Sequence, residues 1–371
     1  MERQMSEQVS RFAIIGGGRR SEFFLRLARD LPQKFVVTGL YSRSAEKRSE
    51  VASRFGVPVR DSIDALLADR PDFVLVAVPR TVVATVTIDL VERGARVLVE
   101  TPPAVSVDEM RDLWSRVGAT DLVQVADQSM YMPSHLAREQ IARSGVIGTP
   151  TSVHVSSNHL YHAVSIMRVL LRAGKGGATV VARNFTAPLV DPLNFRGYTG
   201  DTEPGDKVTT LATIDFGNGR SGLYDFTENQ WFNPLRQRRL VVRGSRGEIV
   251  DDRVVFMEDP QTVIESRIVR RQTGIDHNLE GFNLDNISFN GKSVFRNPFA
   301  TASQSDEDIA VALLVDRMSA WTHGDAPAPY PLADGMQDHL LGLAIEQSAE
   351  SGQPVTTMEE PWARAASPFE D

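Results

Sequence analysis

Arg11-Phe12-Ala13-Ile14-Ile15-Gly16-Gly17-Gly18-Arg19-Arg20-Ser21 is the stretch that decides how this chain folds. The apolar run from Phe12 to Ile15 stops at three glycines, and a helical pattern follows through Phe23, Phe24, Leu27 and Leu31. A buried strand, a glycine turn and a helix N-terminus form the geometry that seats a dinucleotide pyrophosphate on backbone N–H groups and on the positive end of a helix dipole. Gly16 allows the tight turn, and Gly18 keeps a side chain out of the way of the phosphates. Ser21 stands where the usual G-x-G-x-x-G pattern has its third glycine, so a strand–turn–helix that binds nothing stays open on this motif alone.

Working outward, Phe35–Tyr41, Val74–Val78, Val97–Val99 and Asp121–Ala126 read as further strands. Helical segments near 45–55, 62–69, 81–93 and 133–144 lie between or after them. Unbroken Val/Leu/Ile strands separated by helices predict a parallel sheet covered on both faces, with ligands at the carboxyl ends of the strands. The residues at those ends are Gly16, Gly18, Arg19, Arg20, Ser42, Arg43, Pro79, Arg80, Glu100, Thr101 and Pro102, and Gln128 joins them as a cofactor-binding candidate. An Asp or Glu normally ends the second strand of an NAD-specific domain, about 20 residues past the glycines. Here the position reads Tyr41-Ser42-Arg43. Ser42 and Arg43 could hold a 2′-phosphate, which favours NADP, or Arg43 could stack on adenine or stay solvated with NAD bound. NAD is the expected cofactor, and NADP stays open.

After residue 148 the pattern changes. Thr151–Ser156, Thr179–Asn184, Thr209–Phe216, Gly222–Phe226, Arg239–Gly244 and Arg253–Met257 alternate or carry β-branched runs, joined by turns such as Gly217-Asn218-Gly219. The polar stretch from Gln272 to Ser305 is expected to wrap the surface or reach a neighbouring subunit, and helices near 306–322 and 335–351 close the chain. The expected fold is α/β: an N-terminal Rossmann dinucleotide-binding domain over 1–148 and a C-terminal α+β domain over 149–334 with an open, mostly antiparallel sheet. A closing helix and tail fill 335–371.

Composition suits a water-soluble enzyme. The chain has 371 residues, 42% of them hydrophobic, and no cysteine, which excludes disulfides, thiolate catalysis and cysteine–zinc sites. No apolar run approaches the ~20 residues that span a bilayer. The start, Met1-Glu2-Arg3-Gln4, lacks a signal-peptide core, and a formal net charge of −8 argues against a nucleic-acid binder. A cytoplasmic location follows as the expectation, with neither membrane nor nucleic acid as partner.

Taken together, several motifs resemble the glucose–fructose oxidoreductase/inositol dehydrogenase family. They are Gly16-x-Gly18, Val76-Ala77-Val78-Pro79, Gly94 through Pro102, Ser144-Gly145-Val146-Ile147-Gly148 before a strand, and the helix from His162 to Leu171. The resemblance implies hydride transfer to or from a ring carbinol of a sugar, polyol or glycoside, and a homo-oligomer, dimer or tetramer, formed through the open sheet. Two departures stand out. The family usually has Glu-Lys-Pro after the fourth long strand, with its lysine beside the nicotinamide; here the sequence is Glu100-Thr101-Pro102. The family also carries an aspartate four residues before a histidine, where this chain has Asn158 before His162.

His162, by resemblance, occupies the acid/base position, and an unperturbed imidazole titrating near pH ~6.5 suits the task. Tyr161 and His159 are the companion catalytic candidates, with Asn158, Tyr131 and Trp231 as substrate contacts. Core packing is the competing reading for His162, Tyr131 and Trp231, and a plain helix start for His159 and Tyr161. No metal is expected, because no carboxylate joins the histidines at a ligand spacing. Loss of the lysine also resembles the NAD-dependent glycoside hydrolases of this superfamily, which read Glu-Val-Pro-Ala where this chain has Glu100-Thr101-Pro102-Pro103-Ala104. Those enzymes oxidise C3, eliminate the aglycone, add water and reduce the ketone again. Three readings therefore stand: such a hydrolase, favoured, with an anionic glycoside as one substrate; an ordinary sugar or polyol dehydrogenase; and a non-catalytic NAD-binding regulator.

Overall fold

The protein is described by a computed structural model covering residues 8–274, 283–299 and 303–370. The N-terminal sheet contains β1 (Ser10–Ile15), β2 (Phe35–Tyr41), β3 (Val59–Arg60), β4 (Phe73–Val76), β5 (Val97–Val99) and β6 (Val123–Val125). Its six strands are all parallel and run in the order β3-β2-β1-β4-β5-β6. This is the doubly wound order whose reversal between β1 and β4 opens a ligand crevice at the strand ends. Helices cover both faces: α1 (Arg19–Asp30), α2 (Ala45–Phe55), α3 (Ile63–Ala68), α4 (Arg80–Glu92), α5 (Val107–Val117) and α6 (Pro133–Arg143). Burial on both sides explains the unbroken apolar runs: Phe12, Ala13 and Ile14 are all fully buried, and the Phe12 ring stacks on Phe73 at 5.5 Å.

The second sheet is built differently. It contains β7 (Pro150–Ser156), then, after α7 (Leu160–Leu171), β8 (Thr179–Leu189). A small two-stranded ribbon, β9 (Leu193–Asn194) with β10 (Gly197–Tyr198), precedes β11 (Gly205–Asp215) and β12 (Ser221–Thr227). The chain continues through β13 (Arg239–Gly244), β14 (Gly247–Val250), β15 (Arg253–Asp259), β16 (Thr262–Gln272), β17 (Leu284–Phe289) and β18 (Lys292–Arg296). Helices α8 (Asp306–His323) and α9 (Leu332–Ser351) and the short β19 (Val355–Thr356) end it. The eleven strands run β18-β17-β16-β15-β14-β13-β7-β12-β11-β8-β19 and pair antiparallel except at β7–β12. One face packs on α7 and α9; the other carries Val181, Leu211, Leu223, Val263 and Val269 in the open. Alternation of buried Val180, Ala182, Ala212, Ile214, Gly222 and Tyr224 with those residues is the period of two that a half-covered sheet imposes.

The polar segment 272–305 departs from expectation. The expectation is a segment that wraps the surface or reaches a neighbouring subunit, yet β17 and β18 lie within it, Leu284, Ile287 and Phe289 of β17 are buried, and so is Phe299 beyond β18. Three apolar residues spaced among Asp, Asn and Ser are enough once the strand buries one face only. His277 and the middle of this segment lie outside the described residues.

Two elements join the layers. Helix α8 buries Ile309, Leu314, Val315 and Met318 in one cluster with Phe12 and Leu75 of the first sheet and Phe24 of α1. Helix α9 is apolar on two sides, packing Met336 and Leu340 toward the first sheet and Leu341 and Ile345 toward the second. Its Gly335 lies so close to β6 that a Cβ there would sit 2.6 Å from the Val125 side chain. Buried Arg168 of α7 then ties to α9 through Asp338 at 2.6 Å and Asp334 at 2.9 Å. The ends of β5 and β6 and the start of α7 are thereby held facing each other.

Candidate active site

The glycine turn comes first. Gly16 has φ +123°, and a Cβ on it would stand 2.1 Å from the Ala77 carbonyl oxygen, so β1 can approach the end of β4 only with glycine here. Gly18 is the N-cap of α1, with no side-chain cap, and a Cβ on it would meet nothing within 4 Å. Free helical N–H groups above open space are what a pyrophosphate needs. Ser21, at the third glycine position, is fully buried and donates its hydroxyl to the Gly16 carbonyl at 3.1 Å, closing the turn with a hydrogen bond. These features fit a dinucleotide.

At the end of β2, Ser42 faces Gly17, and its carbonyl accepts from Arg48; Arg43 is exposed. Pro79 is the N-cap of α4, and Arg80 begins that helix and reaches the Tyr161 hydroxyl at 3.4 Å. Glu100 receives Arg20 at 2.7 Å, and Arg20 also donates to Gln128 at 2.7 Å. Burial pushes the Glu100 carboxyl above its ordinary range, with the Arg20 guanidinium opposing. Thr101 precedes Pro102 through a cis peptide bond and hydrogen-bonds to Tyr161, whose phenol burial pushes up.

His162 lies opposite, in the first turn of α7, with its side chain 15% exposed. Its Nδ1 stands 3.1 and 3.2 Å from the two oxygens of Asp127 and 3.1 Å from the Ser129 hydroxyl. Asp127 is buried immediately beyond β6, and the Ser129 N–H donates to it at 2.8 Å. Burial works to raise the Asp127 carboxyl, but His162 and Ser129 outweigh it and hold the group below its usual range. A carboxylate on Nδ1 fixes the ring tautomer and leaves Nε2 for the cleft that the ring lines. The carboxylate missing at Asn158 is thus supplied from the other domain.

The cleft has a volume of 480 Å³ and runs between the domains, with Arg19, Gln128, Ser129, Asn158, His159, His162 and Trp231 on its walls. His159 caps α7 inside an aromatic cage, 4.6 Å from Trp231 and 5.1 Å from both Tyr161 and His162. Burial lowers its pKa to about 3, so it is neutral. Asn158 accepts the Ser157 hydroxyl at 2.7 Å. Tyr131, expected on the wall of the sugar site, is instead packed in the first domain's core and donates its hydroxyl to the Pro329 carbonyl at 2.8 Å. Its backbone follows β6, but the hydroxyl found a partner inward.

Asp127 and Ser129 were not singled out from the sequence. The available signal was position, since both follow the carboxyl end of a parallel strand. Among the described residues, no cluster of three or more His, Asp or Glu could hold a metal ion.

Residues 10–126 match the family described as oxidoreductase family, NAD-binding Rossmann fold. The match is confined to the first domain of the chain. That domain is an NAD-binding Rossmann domain. Over 127 residues the chain is 30% identical to a scyllo-inositol 2-dehydrogenase (NADP(+)) of Bacillus subtilis, covering 33% of this chain and 38% of that protein. Matches to the curated relatives span little more than a third of their length, 36% and 38%. Across the whole fold, it is similar to an oxidoreductase from Agrobacterium radiobacter solved with NAD+, L-tartaric acid and magnesium. That likeness has a TM-score of 0.67 at 16% identity, covering 94% of this chain and 98% of the other. A UDP-N-acetylglucosamine 3-dehydrogenase from Acidithiobacillus ferrooxidans gives a TM-score of 0.60 at 16% identity, with 92% and 98% covered.

Proposed function

We propose that this protein is an NAD(P)-dependent oxidoreductase acting at a ring carbinol of a sugar or polyol, with His162 as its acid/base group. The observation that carries the reading is the buried Asp127 on His162 Nδ1, within a cleft joined to the dinucleotide turn. A nicotinamide dinucleotide, when bound, supplies hydride exchange at the carbinol carbon. Gly16, Gly18 and the α1 N-terminus would hold its phosphates, Ser42 and Arg43 its adenosine end, and Pro79, Glu100, Thr101, Pro102 and Gln128 line its path. Arg20 is taken up by Glu100 and Gln128, and orders that wall.

His162 Nε2 takes a proton from the reacting hydroxyl, and Asp127 stabilises the resulting imidazolium without itself accepting the proton. Tyr161, joined to Thr101 and Arg80, is a second proton-bearing group at the same wall. Neutral His159 and Trp231 exclude water from that face and, with Asn158, orient the ring. Residues 1–148 carry the cofactor, 149–334 the substrate and the contact between copies, and 335–371 the closing helix and tail.

The finer reading is net cleavage of a glycoside with no net change of cofactor. It rests on Thr101, which removes the ammonium that an ordinary dehydrogenase of this family keeps beside the carbinol, and on the two remaining proton carriers, His162 and Tyr161. The second reading, a sugar or polyol dehydrogenase, is favoured by the sequence match to the Bacillus subtilis enzyme. One experiment separates them: incubation with a panel of aryl glycosides, with and without added NAD+, following aglycone release and NADH absorbance. Aglycone release without NADH accumulation, with solvent deuterium entering C2 of the sugar, supports cleavage. Stoichiometric NADH from a simple sugar, with no exchange at C2, supports the dehydrogenase. The open sheet face, with Val181, Leu211 and Leu223 uncovered, supports a homo-oligomer formed there.

A further inference from the structure

The charges around the cleft do not balance in the way a site for a neutral sugar would. Arg19, Arg138, Arg238 and Arg239 line it, and none has a carboxylate oxygen within 4.0 Å among the described residues. The acids of the cleft are already engaged. Asp306 receives both arms of Arg270 at 2.7 Å, Asp251 accepts the Leu240 N–H at 2.9 Å, and Glu307 faces Arg20 and Gln128.

Arg138 is the most telling of the four. It is half-buried on α6 and held by neutral oxygens alone, donating to the Asp251 carbonyl at 2.7 Å and the Ser134 carbonyl at 3.1 Å. Burial works against its charge, with Asp251 and Asp252 opposing from farther away. A desolvated guanidinium with no carboxylate in ion-pair contact is costly, and an anion brought by a ligand would offset that cost more fully than the more distant Asp251 and Asp252 do. Arg238 is anchored on the same wall by donating to the Trp231 carbonyl at 2.7 Å. Arg239 pairs in register with Ser156, at the end of the strand that leads to Asn158 and His162. Arg19 lies over the Phe195 ring at 4.5 Å, next to the glycine turn, where the cofactor's own phosphates would claim it.

We infer that the cleft takes a sugar bearing an anionic group, held by Arg138, Arg238 and Arg239 opposite His162. A carboxylate, a sulfate or a phosphate ester would each match the planar two-donor face of arginine. A volume of 480 Å³ accommodates a single ring with such a substituent. This inference rests on the cleft being the substrate site, as proposed above.

The test uses the full chain loaded with NAD+, with sugar binding followed by tryptophan fluorescence, since Trp231 lines the cleft. The probes are D-glucuronate, D-glucose 6-sulfate and D-glucose 6-phosphate against D-glucose, and D-galacturonate against D-galactose. At least one anionic sugar should bind about tenfold or more tighter than its neutral parent, a difference of one decade in Kd. The three glucose derivatives show which anion is preferred. Arg238 and Arg239 are exposed, so the double variant Arg238→Ala/Arg239→Ala keeps the fold and should lose most of the preference. Equal binding of charged and neutral sugars, no binding of any probe, or a preference that survives the double variant overturns the inference. Turnover of neutral sugars without charge preference leaves the proposed function standing and removes the anion site. Charge-selective binding in which no sugar or glycoside is ever turned over does the reverse.

Discussion

The two sheets of this protein were built under opposite constraints. The first is buried on both faces, so its strands are unbroken apolar runs and its function lies only at the strand ends. The second is covered on one face, so its strands alternate, and polar sequence such as 283–297 can still be a strand. A parallel core therefore announces its site by position, whereas a half-open sheet hides its strands among polar residues and assembles its site by contact with the other domain. His162 shows the difference: it begins a helix of the second domain, yet its partner Asp127 belongs to the first.

The contrast can be broken most severely at the glycine turn. Gly18→Val should remove dinucleotide binding, because the β-branched side chain enters space that the chain itself leaves empty, while the melting temperature stays near wild type. Gly16→Ala should instead destabilise the fold by about 2 kcal/mol or more, since a Cβ there meets backbone at positive φ. Cofactor titration and thermal denaturation of both variants check the pair. Retained binding in Gly18→Val would show that the pyrophosphate does not use this turn.

The second test is the bridge between domains. His162→Ala should lower turnover about 10²–10⁴-fold with cofactor affinity little changed. Asp127→Asn should give a smaller loss of turnover, because the imidazolium formed in the reaction loses its counter-charge. A drop in melting temperature with activity per folded molecule preserved would make the histidine a packing residue.

Acid sharpens the comparison further, because buried histidines sit at the seam between the domains. Burial lowers His135 to about 4, His159 to about 3 and His339 to about 4, against an ordinary value of 6.5. The unfolded chain then binds more protons than the folded one between those values, so stability rises with pH across the window. The expected result is full stability above pH ~6.5 and progressive loss as pH falls toward ~4. Thermal melts across this range should show it, and His135→Gln should flatten the curve. An unchanged melting temperature from pH 7 to 4 would contradict the neutral, buried state of these rings.

The smallest effect is expected on the open face. Leu223→Lys should leave unfolding free energy within about 0.5 kcal/mol of wild type, as an exposed substitution does, yet separate the copies in sedimentation. Unaltered sedimentation of an oligomeric wild type would place the contact elsewhere.

The amino-acid sequence alone determined the parallel domain, down to the glycine turn and most strand limits, because period and punctuation are local properties of the chain. It also pointed to the strand ends, where Glu100 and Gln128 now stand together around Arg20. Tertiary structure decided the rest. Spacing could show that Asn158 had replaced a carboxylate, but not that Asp127, 35 residues before His162, would supply one. Nor could it tell that Tyr131 would turn inward to the Pro329 carbonyl, 198 residues away. Both depend on which distant groups share a low-dielectric space, and hydrophobic periodicity carries no record of that.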